Sequence, residues 1–270
     1  MRYAITCRYS QGAFLLAVPI GGLAGLIGLG GGEFRLPVLT QAIGFRAREA
    51  IPLNLLISFA TLAFALVTRN YAIPLSSVIA HGAEVAGLTI GGVASAVLGS
   101  RLLLRMSDRR LTMLMGALLA ALGLLLIIEA FVPFDSAALA AESPVSRGLA
   151  GIAIGLGVGI VSSMLGVAGG ELLIPALVYV FGADIRIAGT ASVLISLAIV
   201  AAGLWRYHRA RAIPLSGGAP RIAFSMGAGS LVGAALGSLA VAVAPVVFLK
   251  VLLGAVLILA AAKTIVRPAG

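Results

Sequence analysis

The sequence predicts an all-α integral membrane protein made of two inverted repeats. Eight long transmembrane helices and two short half-helices, each placed after a glycine-rich break, make up the fold. Three observations carry this. Of 270 residues, 61% are hydrophobic and only 10% are charged, where a soluble domain carries about a quarter charged residues; mean hydropathy is +1.15. The chain matches itself when residue i is laid over residue i+138. Its Lys and Arg residues segregate to one side only if each half reverses direction an odd number of times.

The repeat is read from GGGEFRLPVL (30–39) over AGGELLIPAL (168–177). Between Gly21 and Ser58, 13 of 38 positions are identical to those 138 residues on, where chance gives about three or four, so a duplication is preferred. AIPLS recurs at 72–76 and 212–216, LGS at 98–100 and 236–238, and Gly116 faces Gly254. The organisation is a first transmembrane repeat (1–134), an external linker (135–146) and a second repeat (147–270).

In each half a long apolar segment ends at glycines, a short apolar segment follows, and three long segments complete the set. They cover 12–31, 34–44, 49–68, 76–101 and 109–133, then 147–168, 172–182, 187–205, 219–242 and 246–266. The long ones approach or exceed the ~20 residues that span a bilayer. The short ones, with about eleven residues, make roughly 16 Å of helix, half a bilayer. Arg2 and Arg8 before an apolar run mimic a signal peptide, but the glycine motif inside that run recurs later, so it is read as part of the mature fold.

The charges choose the topology. If the short segments merely extend the helices before them, the repeats are parallel and the cations show no bias. If each short segment reverses direction, 14 Lys and Arg fall on one side and five on the other. The positive-inside rule selects the second arrangement, with both termini cytoplasmic and the halves inverted. The net charge of +10 is then a property of short loops and not a nucleic-acid footprint. The single cysteine and the two distant histidines supply neither a disulfide nor a metal cluster. No cofactor motif occurs, and without a Walker motif the chain does not use ATP.

Backbone that is not helical at membrane depth is tolerated where it lines a cavity or binds something, and paired discontinuous helices are a building plan of secondary transporters. The candidate substrate-binding residues are therefore Gly30, Gly31, Gly32, Glu33 and Pro37 with Gly169, Gly170, Glu171 and Pro175. Helix starts after the glycines would present free N–H groups and positive dipole ends to an anion, and Pro37 and Pro175 would sit in the first turn, where a missing N–H costs least. The competing reading is tight helix packing through small residues. Glu33 and Glu171, expensive in a membrane span, are either helix caps or proton-coupling groups. Asn54 with Ser58, and Ser192 with Ser196, share helix faces and offer donors to a cavity or bonds between helices. Arg35 is read as snorkelling to the interface, His81 and Glu84 as a solvated rim, and Arg48 and Arg186 as interfacial anchors.

GLIGLGGGEFRLPVL and SSMLGVAGGELLIPAL resemble the paired signatures of the TauE/SafE family, the sulfite exporter family of bacterial membrane proteins. The resemblance covers length, duplication and the Gly-Gly-x-x-x-x-x-Pro spacing in each half, and it places Gly31, Gly32, Pro37, Gly169, Gly170 and Pro175 at the family's motif positions. It departs at Ala168, where the first half has Gly30. It implies a transporter of sulfur-containing anions such as sulfite and organosulfonates. Together with the repeat plan, the reading is a secondary transporter of the inner membrane that exports a small anion, driven by the proton gradient or membrane potential, with direction open, and not an enzyme. Its partners are then the anion and the lipid bilayer; the oligomeric state stays open. The alternatives are an anion channel, a non-transporting membrane subunit, or a membrane-embedded lipid phosphatase. The last would need an Arg- or Ser-rich phosphate motif beside Glu33 or Glu171, and only Arg35 is there.

Overall fold

The structure is a computed structural model. It describes residues 2–105, 108–132, 143–214 and 218–240, with isolated positions between 245 and 262. The linker residues 135–142 and most of the last expected span, 246–266, lie outside the described residues.

Among the described residues the backbone is helical, with no strand. The first half holds α1 (Arg2–Ile27), α2 (Gly32–Pro37), α3 (Ala47–Ala72), α4 (Ser76–Ile79), α5 (Gly82–Arg105) and α6 (Asp108–Phe131). The second holds α7 (Pro144–Leu165), α8 (Gly170–Pro175), α9 (Ile185–Arg209) and α10 (Ala219–Ala240). Four of these contain stretches long and apolar enough to cross a membrane: Ala47–Tyr71, Pro144–Ser163, Arg186–Arg209 and Ala219–Ala240. Shorter apolar stretches cover Gln11–Ile27 and Gly82–Val97.

The expected span 76–101 is not one helix. α4 ends at Ile79, and α5 starts afresh at Gly82. Pro74 opens the segment, and Ser77, Val78 and His81 bond three residues back, the tighter 3₁₀ pattern that ends a helix early. Ser76, Ser77, His81, Gly82 and Glu84 mark the step in the sequence, and a span drawn on average hydropathy runs over it.

Backbone conformation repeats with the sequence. The glycines with positive φ are Gly28, Gly31 and Gly44, then Gly166, Gly169 and Gly182, each 138 residues after its mate. At Gly31 (φ 65) and Gly169 (φ 82) the left-handed turn that starts α2 and α8 has no room for a Cβ without strain. The expectation for the prolines needs correction. Pro37 and Pro175 are the last residues of six-residue helices, past the first turn. Each lacks the N–H that would bond the carbonyl of Glu33 or Glu171, and its ring crowds that carbonyl. The backbone widens directly after each into a π turn, Val38–Ala42 and Ala176–Val180.

Packing interlocks the halves. α1 lies along α10, and α5 along α7, so each half's first helix pairs with the other half's helix. Glycines allow backbone contact: a Cβ on Gly21 would strike the Ser230 backbone, and one on Gly159, its repeat mate, would strike Gly92, the mate of Ser230. The same reciprocity links Gly28 to Gly189 and Gly166 to Ile51. α3 and α9 cross between these pairs. Their buried Ile51, Leu53, Leu55, Val193, Ile195 and Ile199 form the centre of the apolar core.

Candidate functional site

The two breaks meet inside the molecule. Gly30 lies against the Ala168 side chain, where a second Cβ would collide, and the Cβ position of Gly170 is 3.1 Å from Leu29 and 3.4 Å from the Gly28 carbonyl. Residues 28–36 and 166–171 are buried throughout.

The Glu33 side chain (0% exposed) and the Glu171 side chain (2%) are electrostatic neighbours across this crossing. Their four oxygens have no partner at strict hydrogen-bond geometry, while each carboxyl still feels the backbone N–H of its own residue and the carboxyl of the other. The arrangement is two carboxyl groups facing each other away from water.

Arg35 does not snorkel. Its side chain is fully buried and turns inward, because acceptors surround the head group. Its Nη2 donates to the Gly30 carbonyl and to Ser58 Oγ, both at 2.6 Å, its Nη1 to Ser230 Oγ at 3.1 Å, and its Nε to Asn54 Oδ1 at 3.2 Å. These four bonds end on neutral groups, while Glu33 acts on the guanidinium electrostatically. Asn54 in turn donates to the carbonyls of Gly32 and Gly166, each at 2.7 Å, tying both breaks to α3.

The second half repeats this cradle without its occupant. Leu173 stands where Arg35 stands in the first, and Ser192 and Ser196 stand for Asn54 and Ser58. Both hydroxyls are buried, at 0% and 1% exposure, and neither has a hydrogen-bond partner. Other hydroxyls in these helices bond back to the carbonyl four residues earlier: Thr61 at 2.8 Å, Thr89 at 2.7 Å and Ser163 at 2.9 Å. Leaving a buried hydroxyl unpaired costs about 1–3 kcal/mol, and such groups in a native fold call for a physical reason.

Several polar residues of the interior were not singled out by their sequence surroundings. Arg69, buried on α3, donates from Nη1 to the Gly25 carbonyl at 3.0 Å and from Nε to Thr190 Oγ1 at 3.5 Å. Its repeat mate Tyr207 donates to the Ser163 carbonyl at 2.6 Å, and Ser163 is the mate of Gly25. The 138-residue register itself would have found this pair. Ser230 is another: nothing near it in sequence announces that it holds Arg35. The rim expectation for Glu84 is also corrected. Glu84 is buried and bonds His81 at 2.7 Å and Arg147 at 2.9 Å, while Arg147 donates to the Phe181 carbonyl at 2.6 Å. Arg48 and Arg186 are exposed near the starts of α3 and α9, as flanking residues. Among the described residues no group of three or more His, Cys, Asp or Glu could hold a metal.

The family model described as Sulfite exporter TauE/SafE matches residues 6–126 and 150–270, one copy of the match in each half. The chain belongs to the TauE/SafE family. Neither a curated protein nor a solved structure matches it. TauE/SafE proteins are membrane transporters of sulfur-containing anions, which agrees with the apolar helices and makes a small anion and a lipid bilayer the natural partners of this one.

Proposed function

We propose that this TauE/SafE protein is a secondary transporter that exports a small sulfur oxyanion or organosulfonate, sulfite-like in size, across the cytoplasmic membrane. The carrying observation is the duplicated backbone break that brings the Glu33 and Glu171 carboxyl groups and the Arg35 guanidinium together out of reach of water. Charges at membrane depth belong to transport paths far more often than to scaffolding. A buried cation lowers the electrostatic cost of an anion nearby, and the two carboxyl groups can exchange protons in the same region. In this reading Glu33 and Glu171 carry the coupling protons, and the hydroxyl and amide groups of Asn54, Ser58, Ser192 and Ser196 line the site.

The topology proposed with it is two inverted repeats of four long helices and one short reversing segment. Both termini are cytoplasmic, and 135–146 is outside. Support comes from the segregation of 14 cations against five and from the reciprocal contacts of the halves.

The test is flux in proteoliposomes loaded with sulfite, with a pH gradient and a membrane potential imposed separately. Saturable efflux that accelerates with a proton gradient, and loses that acceleration in Glu33→Gln or Glu171→Gln, is expected. Flux that follows the sulfite gradient alone and does not saturate would make the protein a channel instead.

A further inference from the structure

Resting on the transporter reading, we propose that the two pseudo-equivalent cradles are not equivalent sites. The anion binds in the second only, where the Ser192 and Ser196 hydroxyls donate to its oxygens, and Arg35 permanently fills the first.

The two cradles share a plan. The Cβ position of Gly32 is 3.1 Å from Asn54 Nδ2 and 3.2 Å from Ser58 Oγ; that of Gly170 is 3.1 Å from Ser192 Oγ. In the first, the polar side chains of α3 are occupied by a tethered guanidinium with four hydrogen bonds. In the second, Leu173 has nothing to offer, and both hydroxyls stay unpartnered.

Local backbone does not explain this. Thr61, Thr89, Ser163 and Thr190 each donate to the carbonyl four residues before them. Ser192 and Ser196, in the same kind of helix, do not, and they keep their protons free for an outside acceptor. They lie four residues apart, on the helix face that Gly189 also shares.

The charge at that face favours an anion. The Arg69 guanidinium reaches α9 at Gly189, with Nη2 2.7 Å from that residue's Cβ position, one turn before Ser192. Its hydrogen bonds end on the Gly25 carbonyl and Thr190 Oγ1, both neutral. Arg69, Ser192 and Ser196 thus set a cation and two donors along one edge of α9. That suits a compact oxyanion with acceptors on more than one side.

The experiment uses the purified full chain and thermal unfolding against increasing sulfite, with sulfate, thiosulfate and acetate for comparison. Wild type is expected to be stabilised saturably. In Ser192→Ala/Ser196→Ala the half-saturating sulfite concentration should rise at least tenfold, while the melting temperature without anion stays at or above that of wild type, because the removed hydroxyls had no partner. Thr89→Ala, which removes a bonded hydroxyl elsewhere, should leave the sulfite response intact. Leu173→Arg should occupy the second cradle as Arg35 occupies the first and abolish the response. A wild-type response in the double alanine variant overturns the single-cradle proposal and leaves the transporter reading standing. A well-folded wild type that responds to none of the four anions overturns both.

Discussion

Gly30 and Ala168 occupy one position of the duplicated motif and touch each other at the crossing. A methyl group on Gly30 meets the methyl group of Ala168, and overpacking of this kind costs about 1–3 kcal/mol. Gly30→Ala should therefore destabilise the protein by that amount in thermal unfolding. The exchange Gly30→Ala/Ala168→Gly should restore most of it, a coupling that only contact residues show. Arg35 makes a second prediction. Arg35→Ala leaves Ser58, Ser230, Asn54 Oδ1 and the Gly30 carbonyl without their donor. Bonds to a charged group are worth about 1.5–3 kcal/mol each, so a fall in melting temperature well beyond that of Tyr207→Phe is expected; Tyr207→Phe removes one neutral bond worth about 1 kcal/mol. Equal falls in the two variants would refute the role given to Arg35. The burial of Arg35 was not legible from the sequence. Its long stem suits an interfacial residue equally well, its mate is a leucine, and its acceptors come from positions 30, 54, 58 and 230, with no local pattern joining them.

At the level of elements, the breaks before α2 and α8 were readable because three glycines and a proline recur at one spacing. The widening after Pro37 and Pro175 was not, since a π turn has no composition of its own. The start of α5 at Gly82 was signalled by the polar stretch His81, Gly82 and Glu84, which a reading of 76–101 as one apolar span passes over, and the buried Glu84–Arg147 bond was hidden by the 63 residues that separate them. Helix pairing gives the prediction at this scale. Gly233 of α10 packs against the backbone of α1 at Val18 and Gly22, where no side chain can be accommodated without moving a helix. Gly233→Leu should sharply reduce the yield of folded protein in detergent. Gly227→Leu, on the same helix with open space around its Cβ position, should not. Comparable losses in both would mean that the close pairing of α1 with α10 contributes little.

At the scale of the molecule, the duplication was legible in the sequence, and the exchange of helix partners between the halves was not, because identity at a fixed offset says nothing of which copy touches which. The proposed orientation is open to a direct check. In a Cys7→Ala background, Ser143→Cys, an exposed position at the start of α7, should react with a membrane-impermeant maleimide in intact cells. Protection until the membrane is permeabilised would invert the topology.

The pairing of α1 with α10 also has a consequence in time. α1 leaves the ribosome well before its partner α10, which lies about 200 residues further along; at 5–20 residues per second, roughly 10–40 s pass before α10 exists. Through that interval the glycine face of α1, with Gly21 and Gly25 made for another backbone, has only lipid beside it. α5 waits a far shorter time for α7. Assembly should therefore begin with the α5–α7 pair, and α1 should dock onto α10 later.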